Sequence, residues 1–236
     1  MLVPIPDPVA VSLYRYGAYD ASTTAFLLHC LKPGDHVLDV GAHVGYFTLL
    51  ASCLTGDEGM VAAFEPNEFT RALLRRNARE LSNVAVVGDA VGASVGRAEL
   101  RVPSLADSAF ATLAAGDRTG SAAAEWHAQP VARTSLDVYA AENGLAPALI
   151  KLDVENEEEA VLDGMQEIVG RDRPAIILEL GDIGVAPGRS RRLLERVLAD
   201  DYKALEVSPD LTLREHGLLE DYGYFNVLLV PAEPLS

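Results

Sequence analysis

The stretch from His36 to Ser52, HVLDVGAHVGYFTLLAS, restricts the possible folds of this chain more than any other. Val37, Leu38 and Val40 around Asp39 read as a short buried strand. Gly41 and Gly45 then remove Cβ atoms where a ligand or the sheet must approach closely, and an amphipathic pattern restarts as a helix. A strand, a tight turn and a helix leave backbone N–H groups free at a helix N-terminus, which suits a polar cofactor. In dinucleotide-binding turns an acid about 20 residues further on holds a ribose. Here VAAFEP puts Glu65 at the end of the next apolar run, just before Pro66. A plain strand-to-helix turn with packing glycines would explain Gly41 and Gly45 alone, and Glu65 shifts the balance to a nucleoside cofactor.

Other properties bound the function. At 236 residues the chain suits a single α/β domain spanning residues 1–236, with an N-terminal extension over 1–21. The 35 acids outnumber the 19 Lys and Arg, giving a net charge of −16 that repels phosphate backbones and argues against nucleic acid as a partner. No apolar run reaches the roughly 20 residues of a membrane span, and the first residues lack the basic start of a secretion signal, so a cytoplasmic protein with no membrane partner is expected. Cys30 and Cys53, flanked by apolar residues, read as reduced core thiols, and the Cys and His spacing carries no metal signature.

The opening segment is punctuated by proline up to Pro8; Ser22 or Thr23 is then expected to cap a first helix. Tyr14, Tyr16 and Tyr19 ahead of it read as a hydrophobic plug, with an entrance lining as the alternative. Met60 to Phe64 is a second strand. Asn67 caps a helix with Phe69, Leu73 and Leu74 inward and Arg71, Arg75, Arg76 and Arg79 on a solvated face. A third strand ends at Asp89 and Ala90, and a short extra strand, AELRV, follows. Residues 103–130 have little periodicity, and Trp126 and His127 within them suggest a lid or substrate-recognition loop. Ala148 to Leu152 reads as a buried strand ending at Asp153, with one helix from Glu157 to Val169 behind it. Period two turns Lys151, Asp153 and Glu155 to one side and Leu152 and Val154 to the other. PAIILEL ends a fifth strand at Glu179, and the last two apolar runs, from Tyr202 and Tyr224, are expected to pair antiparallel.

Taken in order, DVGAHVGYFT, AFEPN, RTSLD, LIKLDVENEEEAVLDG and PAIILEL resemble the FkbM family of methyltransferases. The resemblance implies an α/β, Rossmann-like class I methyltransferase fold: a mostly parallel seven-stranded sheet with a C-terminal antiparallel hairpin and helices on both faces. It implies S-adenosylmethionine as cofactor. Asp39, Gly41, Ala42, His43, Gly45 and Thr48 would hold its methionine part, Glu65 with Pro66 the ribose, and Asp89 with Ala90 the adenine edge. Two letters depart from the family pattern: His43 stands where it has asparagine, and Asn156 where it has glycine. Asn tolerates left-handed backbone, so that turn should survive.

Methyl transfer to a hydroxyl needs in-line orientation in a dry site and removal of the hydroxyl proton. Asp153 or Glu155 is the expected proton acceptor, with Lys151 tuning their charge, and Glu179, Trp126 and His127 on the substrate side. Asp153, Glu155 and Glu179 holding Mg²⁺ is the alternative use of these acids. The acceptor is expected to be a small molecule, a secondary metabolite such as a polyketide or macrolide, or a sugar hydroxyl. Two rival functions stand beside this one: a scaffold that has lost activity, and an NAD-dependent oxidoreductase, disfavoured by the missing G-x-G-x-x-G. The oligomeric state is open, a homodimer included.

Overall fold

A computed structural model describes residues 1–4, 7–103, 126–154, 156–182, 187–208 and 212–232. In chain order the elements are α1 (Pro8–Tyr16), α2 (Ala21–Cys30), β1 (His36–Val40), α3 (Tyr46–Thr55), β2 (Met60–Phe64), α4 (Glu68–Ala78), β3 (Val84–Val87), β4 (Ala90–Val91), β5 (Gly96–Pro103) and β6 (Trp126–Thr134). There follow α5 (Leu136–Asn143), β7 (Pro147–Leu152), α6 (Glu158–Asp163), α7 (Gln166–Asp172), β8 (Ala175–Leu180), α8 (Arg189–Ala199), β9 (Tyr202–Val207), β10 (Leu213–Glu215) and β11 (Phe225–Pro231).

The main sheet runs β10-β9-β11-β8-β7-β1-β2-β3, with β3, β2, β1, β7 and β8 parallel to one another and β11 antiparallel to both β8 and β9. The expected fold class is therefore present, with one strand more than seven because β10 adds to the edge beyond β9. A second sheet, β4-β6-β5, stands beside it. Alternation along the strands sorts the core into two layers. Leu38, Ile150, Ile176 and Leu178 pack on Leu162, Met165, Leu193 and Leu194 of the later helices. Val37, Leu149 and Ile177 pack on Phe26, Leu27 and Phe47 of α2 and α3.

Several local expectations are corrected. The proline-rich start forms α1, because Asp7 accepts from the Val9 N–H at 2.8 Å and Pro8 occupies the first turn, where no N–H is needed. Asp20 caps α2 in place of Ser22 or Thr23, accepting from the backbone N–H of both. Tyr14 and Tyr16 are 95% and 73% exposed, so no three-tyrosine plug exists. Phe69 is exposed while Thr70, Leu74 and Ala78 are buried, and Cys53 is an exposed free thiol. The single helix over 157–169 is two, broken where Gly164 packs on the Gly92 carbonyl and Asp137 caps the second piece through the Glu167 and Ile168 N–H groups. Trp126 to Pro130 belongs to β6, paired with β5, so the expected loop is shorter at that end; 104–125 lies outside the described residues.

The β1 and β7 tips touch at Gly41, whose φ is +78° and whose added Cβ would fall 1.8 Å from the Asp153 carbonyl oxygen. Gly34 has φ +89° and open space around it. Gly34→Ala should cost about 1 kcal/mol and Gly41→Ala about 3 kcal/mol or more, measured by urea unfolding. Equal losses would show that the close approach is unimportant.

Candidate active site

Strand register sets the site. Asp39 in β1 pairs with Lys151 in β7, and both point to the α3 side, where a fully apolar pattern would continue the core. Both are buried. Lys151 Nζ lies 2.9 Å from Asp153 Oδ2 and 3.8 Å from Asp39 Oδ1, and 5.3 Å from the centre of the Phe47 ring. Burial alone would lower the pKa of this ammonium, but the Asp153 and Asp39 carboxylates outweigh it and hold the pKa above its ordinary value. Asp39 Oδ2 accepts from the Thr48 hydroxyl at 2.5 Å. Burial pushes the Asp39 carboxyl up, against the pull of Lys151.

The glycine turn is held by its own bonds. The Gly41 and Ala42 N–H groups donate to the Phe64 carbonyl at 3.1 and 3.0 Å, and that of Gly45 donates to the Ala42 carbonyl at 2.9 Å. The His43 N–H donates to Glu65 Oε2 at 2.9 Å. The expected free N–H groups of the turn are thus engaged within the protein; the first-turn amides of α3 remain as the helix-end donors. Glu65 Oε1 also accepts from the Asn67 N–H at 2.8 Å. Each carboxylate oxygen has a second lone pair, so Glu65 can accept further hydrogen bonds. Burial pushes its pKa up to about 7, against these two N–H groups and Arg71.

Arg71 does not belong to the solvated face expected from helical periodicity. Its Nη1 donates to the Pro66 and Glu65 carbonyls at 2.7 and 3.1 Å and lies 3.4 Å from the Gly88 carbonyl, binding the loops after β2 and β3 together. The signal was available in principle: helical side chains lean toward the N-terminus, so an arginine one turn into α4 points back at the strand ends.

These elements enclose a cavity of about 410 Å³, within the usual range for a small-molecule site. Gly41, Ala42, His43, Glu65 and Asp89 line it together with Tyr19, Phe47, Lys151, Asp153, Glu179 and Tyr224. The rings of Tyr19, Tyr46 and Phe47 pack edge-on or tilted, with centroids 5.0 to 6.0 Å apart. Burial, with Asp153 nearby, pushes the Tyr19 phenol up to about 12.

Most of the sequence candidates converge here, with exceptions. Asp39 and Thr48 are buried behind the wall and act on it through Lys151 and α3. Gly45 also lies off the wall, in contact with Leu74; its φ of +94° and that packing are what require glycine. His127 is exposed on β6 and does not line the cavity. The Trp126 side chain and all of Glu155 lie outside the described residues. Among the described residues no three His, Cys, Asp or Glu side chains cluster to hold a metal, and Asp153 is instead committed to Lys151.

Residues 39–205 match the methyltransferase FkbM domain. The chain belongs to the FkbM methyltransferase family. Solved structures of similar fold include methyltransferase FkbM from Methylobacillus flagellatus, at TM-score 0.51 and 15% identity, covering 88% of this chain and 50% of that one. The chain thus spans half the length of that protein. Cofactor-bound Rv0187 from MTB aligns at TM-score 0.52 and 16% identity over 97% of this chain and 91% of its own. An rRNA methylase from Streptococcus thermophilus aligns at 0.51 and 14%, over 98% and 100%. At these identities the likeness is one of fold. No match to a curated protein is found. The left-handed backbone of His43 (φ +52°) and Asn156 (φ +78°) explains why the FkbM pattern has Asn and Gly at these positions.

Removing Lys151 would leave Asp39 buried without a counter-charge. Lys151→Met should cost about 3 to 5 kcal/mol at pH 8 by urea unfolding. The folded state would then hold Asp39 protonated at a pH where the unfolded chain ionises it, so the loss should shrink as pH falls toward 5. A loss independent of pH would show that Lys151 contributes through packing alone.

Proposed function

We propose that the cavity binds S-adenosylmethionine and that the protein methylates a hydroxyl of a small molecule. The observation carrying this reading is that the glycine turn, Glu65 and the Lys151–Asp153 pair open into one cavity. The residues suit the cofactor. Glu65 has acceptor capacity for two ribose hydroxyls, Asp89 can accept from an adenine amino group, and Phe64, Val91 and Leu100 give apolar walls for a base. When bound, this cofactor supplies an electrophilic methyl group on a sulfonium.

The chain's own residues then handle the acceptor. Asp153 receives the hydroxyl proton as the oxygen becomes a methyl ether. Lys151 holds one oxygen of that carboxylate at 2.9 Å, which fixes its direction and leaves the other for the substrate. Tyr19, Tyr46 and Phe47 exclude water on that side. The small volume and aromatic wall suit a secondary metabolite such as a polyketide or macrolide portion, or a sugar.

The test is calorimetric titration with S-adenosylhomocysteine, followed by turnover. Ribose hydroxyls donate to ionised Glu65, so wild-type affinity should rise as pH rises from 6 through about 7 and level off above. In Glu65→Gln affinity should be flat with pH and weaker by about 10- to 100-fold. Asp153→Asn should lose about 10²- to 10⁴-fold in methyl transfer at saturating cofactor while keeping its affinity within about threefold. No binding at millimolar ligand would favour a scaffold, and binding of NAD instead would favour an oxidoreductase.

A further inference from the structure

The family match begins at residue 39, yet the first 20 residues reach the cavity. Val9, 6% exposed, and Tyr19 both line it. The Asn77 side chain on α4 bonds the Leu2 backbone twice, at 2.6 and 2.9 Å, and donates to the Val44 carbonyl of the glycine turn at 2.8 Å. At the other end of the segment Asn226 in β11 donates to Asp20 at 2.6 Å. Between these anchors Asp7, 4% exposed, puts Oδ2 3.3 Å from His43 Nε2, a buried ring nitrogen with no other polar partner among the described residues.

We propose that Asp7 is a positioning residue for the cofactor: through His43 it latches the N-terminal segment across the glycine turn and makes that segment part of the binding site. The coupling has a short physical route. His43 sits in left-handed backbone, and its N–H is one of the two that fix the Glu65 carboxylate. Pulling on the imidazole therefore moves the acid that faces the ribose. An asparagine at position 43 tolerates the same backbone but is too short to reach where the imidazole Nε2 meets Asp7. The departure from the family pattern and the buried acid outside the matched region thus explain each other. The proposal rests on the reading of the cavity as a cofactor site.

The test is a double-mutant cycle on S-adenosylhomocysteine affinity with Asp7→Ser and His43→Asn. Serine still caps α1 but cannot reach His43, so loss of the helix is separated from loss of the latch. Asp7→Ser should weaken binding about 5- to 10-fold in the His43 protein and less than about twofold beside His43→Asn. No effect in the His43 protein, or the same factor in both backgrounds, would overturn the proposal. Amide exchange without ligand gives a second reading: Asp7→Ser should speed exchange across Val9 to Tyr16 in the His43 protein and not beside His43→Asn. Unchanged exchange overturns the latch. Failure of the wild-type protein to bind S-adenosylhomocysteine would instead overturn the cofactor reading, with the latch judged by exchange.

Discussion

Everything at this site depends on one buried cation. Lys151 sits where β7 would otherwise present another apolar side chain to α3, and its charge is tolerable there only because Asp39 and Asp153 face it. The three come from two strand tips, so the ion pairs also fix where those tips end. Asp153 becomes an oriented carboxylate, and Asp39 anchors the first turn of α3 through Thr48. The same contacts neutralise a buried ammonium and aim a carboxylate into the cavity, as the proposed proton transfer requires.

The second organising fact is that the N–H groups of the turn are already engaged, chiefly by the end of β2. Gly41, Ala42 and Gly45 donate to carbonyls, and His43 donates to Glu65. A ligand therefore meets a loop already in shape, whose ordering entropy was lost during folding. Arg71 extends this by tying the loops after β2 and β3 to one guanidinium, so that Glu65 and Asp89 keep their separation.

What the sequence made legible was local. The strand and turn at His36 to Gly45, Glu65 after the second strand, and the period-two grouping of Lys151 with Asp153 all follow from spacing, and the structure brings them together. What it hid was partnership across strands. Asp39 reads as a cofactor contact until the register sets it against Lys151 and turns it inward. Arg71 looked solvated because helical periodicity describes a face and says nothing of what a long side chain reaches. The break at Gly164 depends on the Gly92 carbonyl, which lies far away in sequence. The N-terminal helix was masked by its prolines, one of which occupies the helical position where proline is favoured.

The contact between Gly41 and the Asp153 carbonyl bears on how such a site can diversify. The loop proposed to cradle the donor and Asp153, the proposed proton acceptor, abut through main chain, with no side chain to trim or lengthen between them. Their spacing is consequently insulated from most substitutions. Other side chains on the wall, such as Tyr19, Tyr46 and Tyr224, can drift and admit differently shaped acceptors while the proposed reaction geometry is inherited intact. The glycine thus separates heritable alignment from evolvable selectivity within one small chamber.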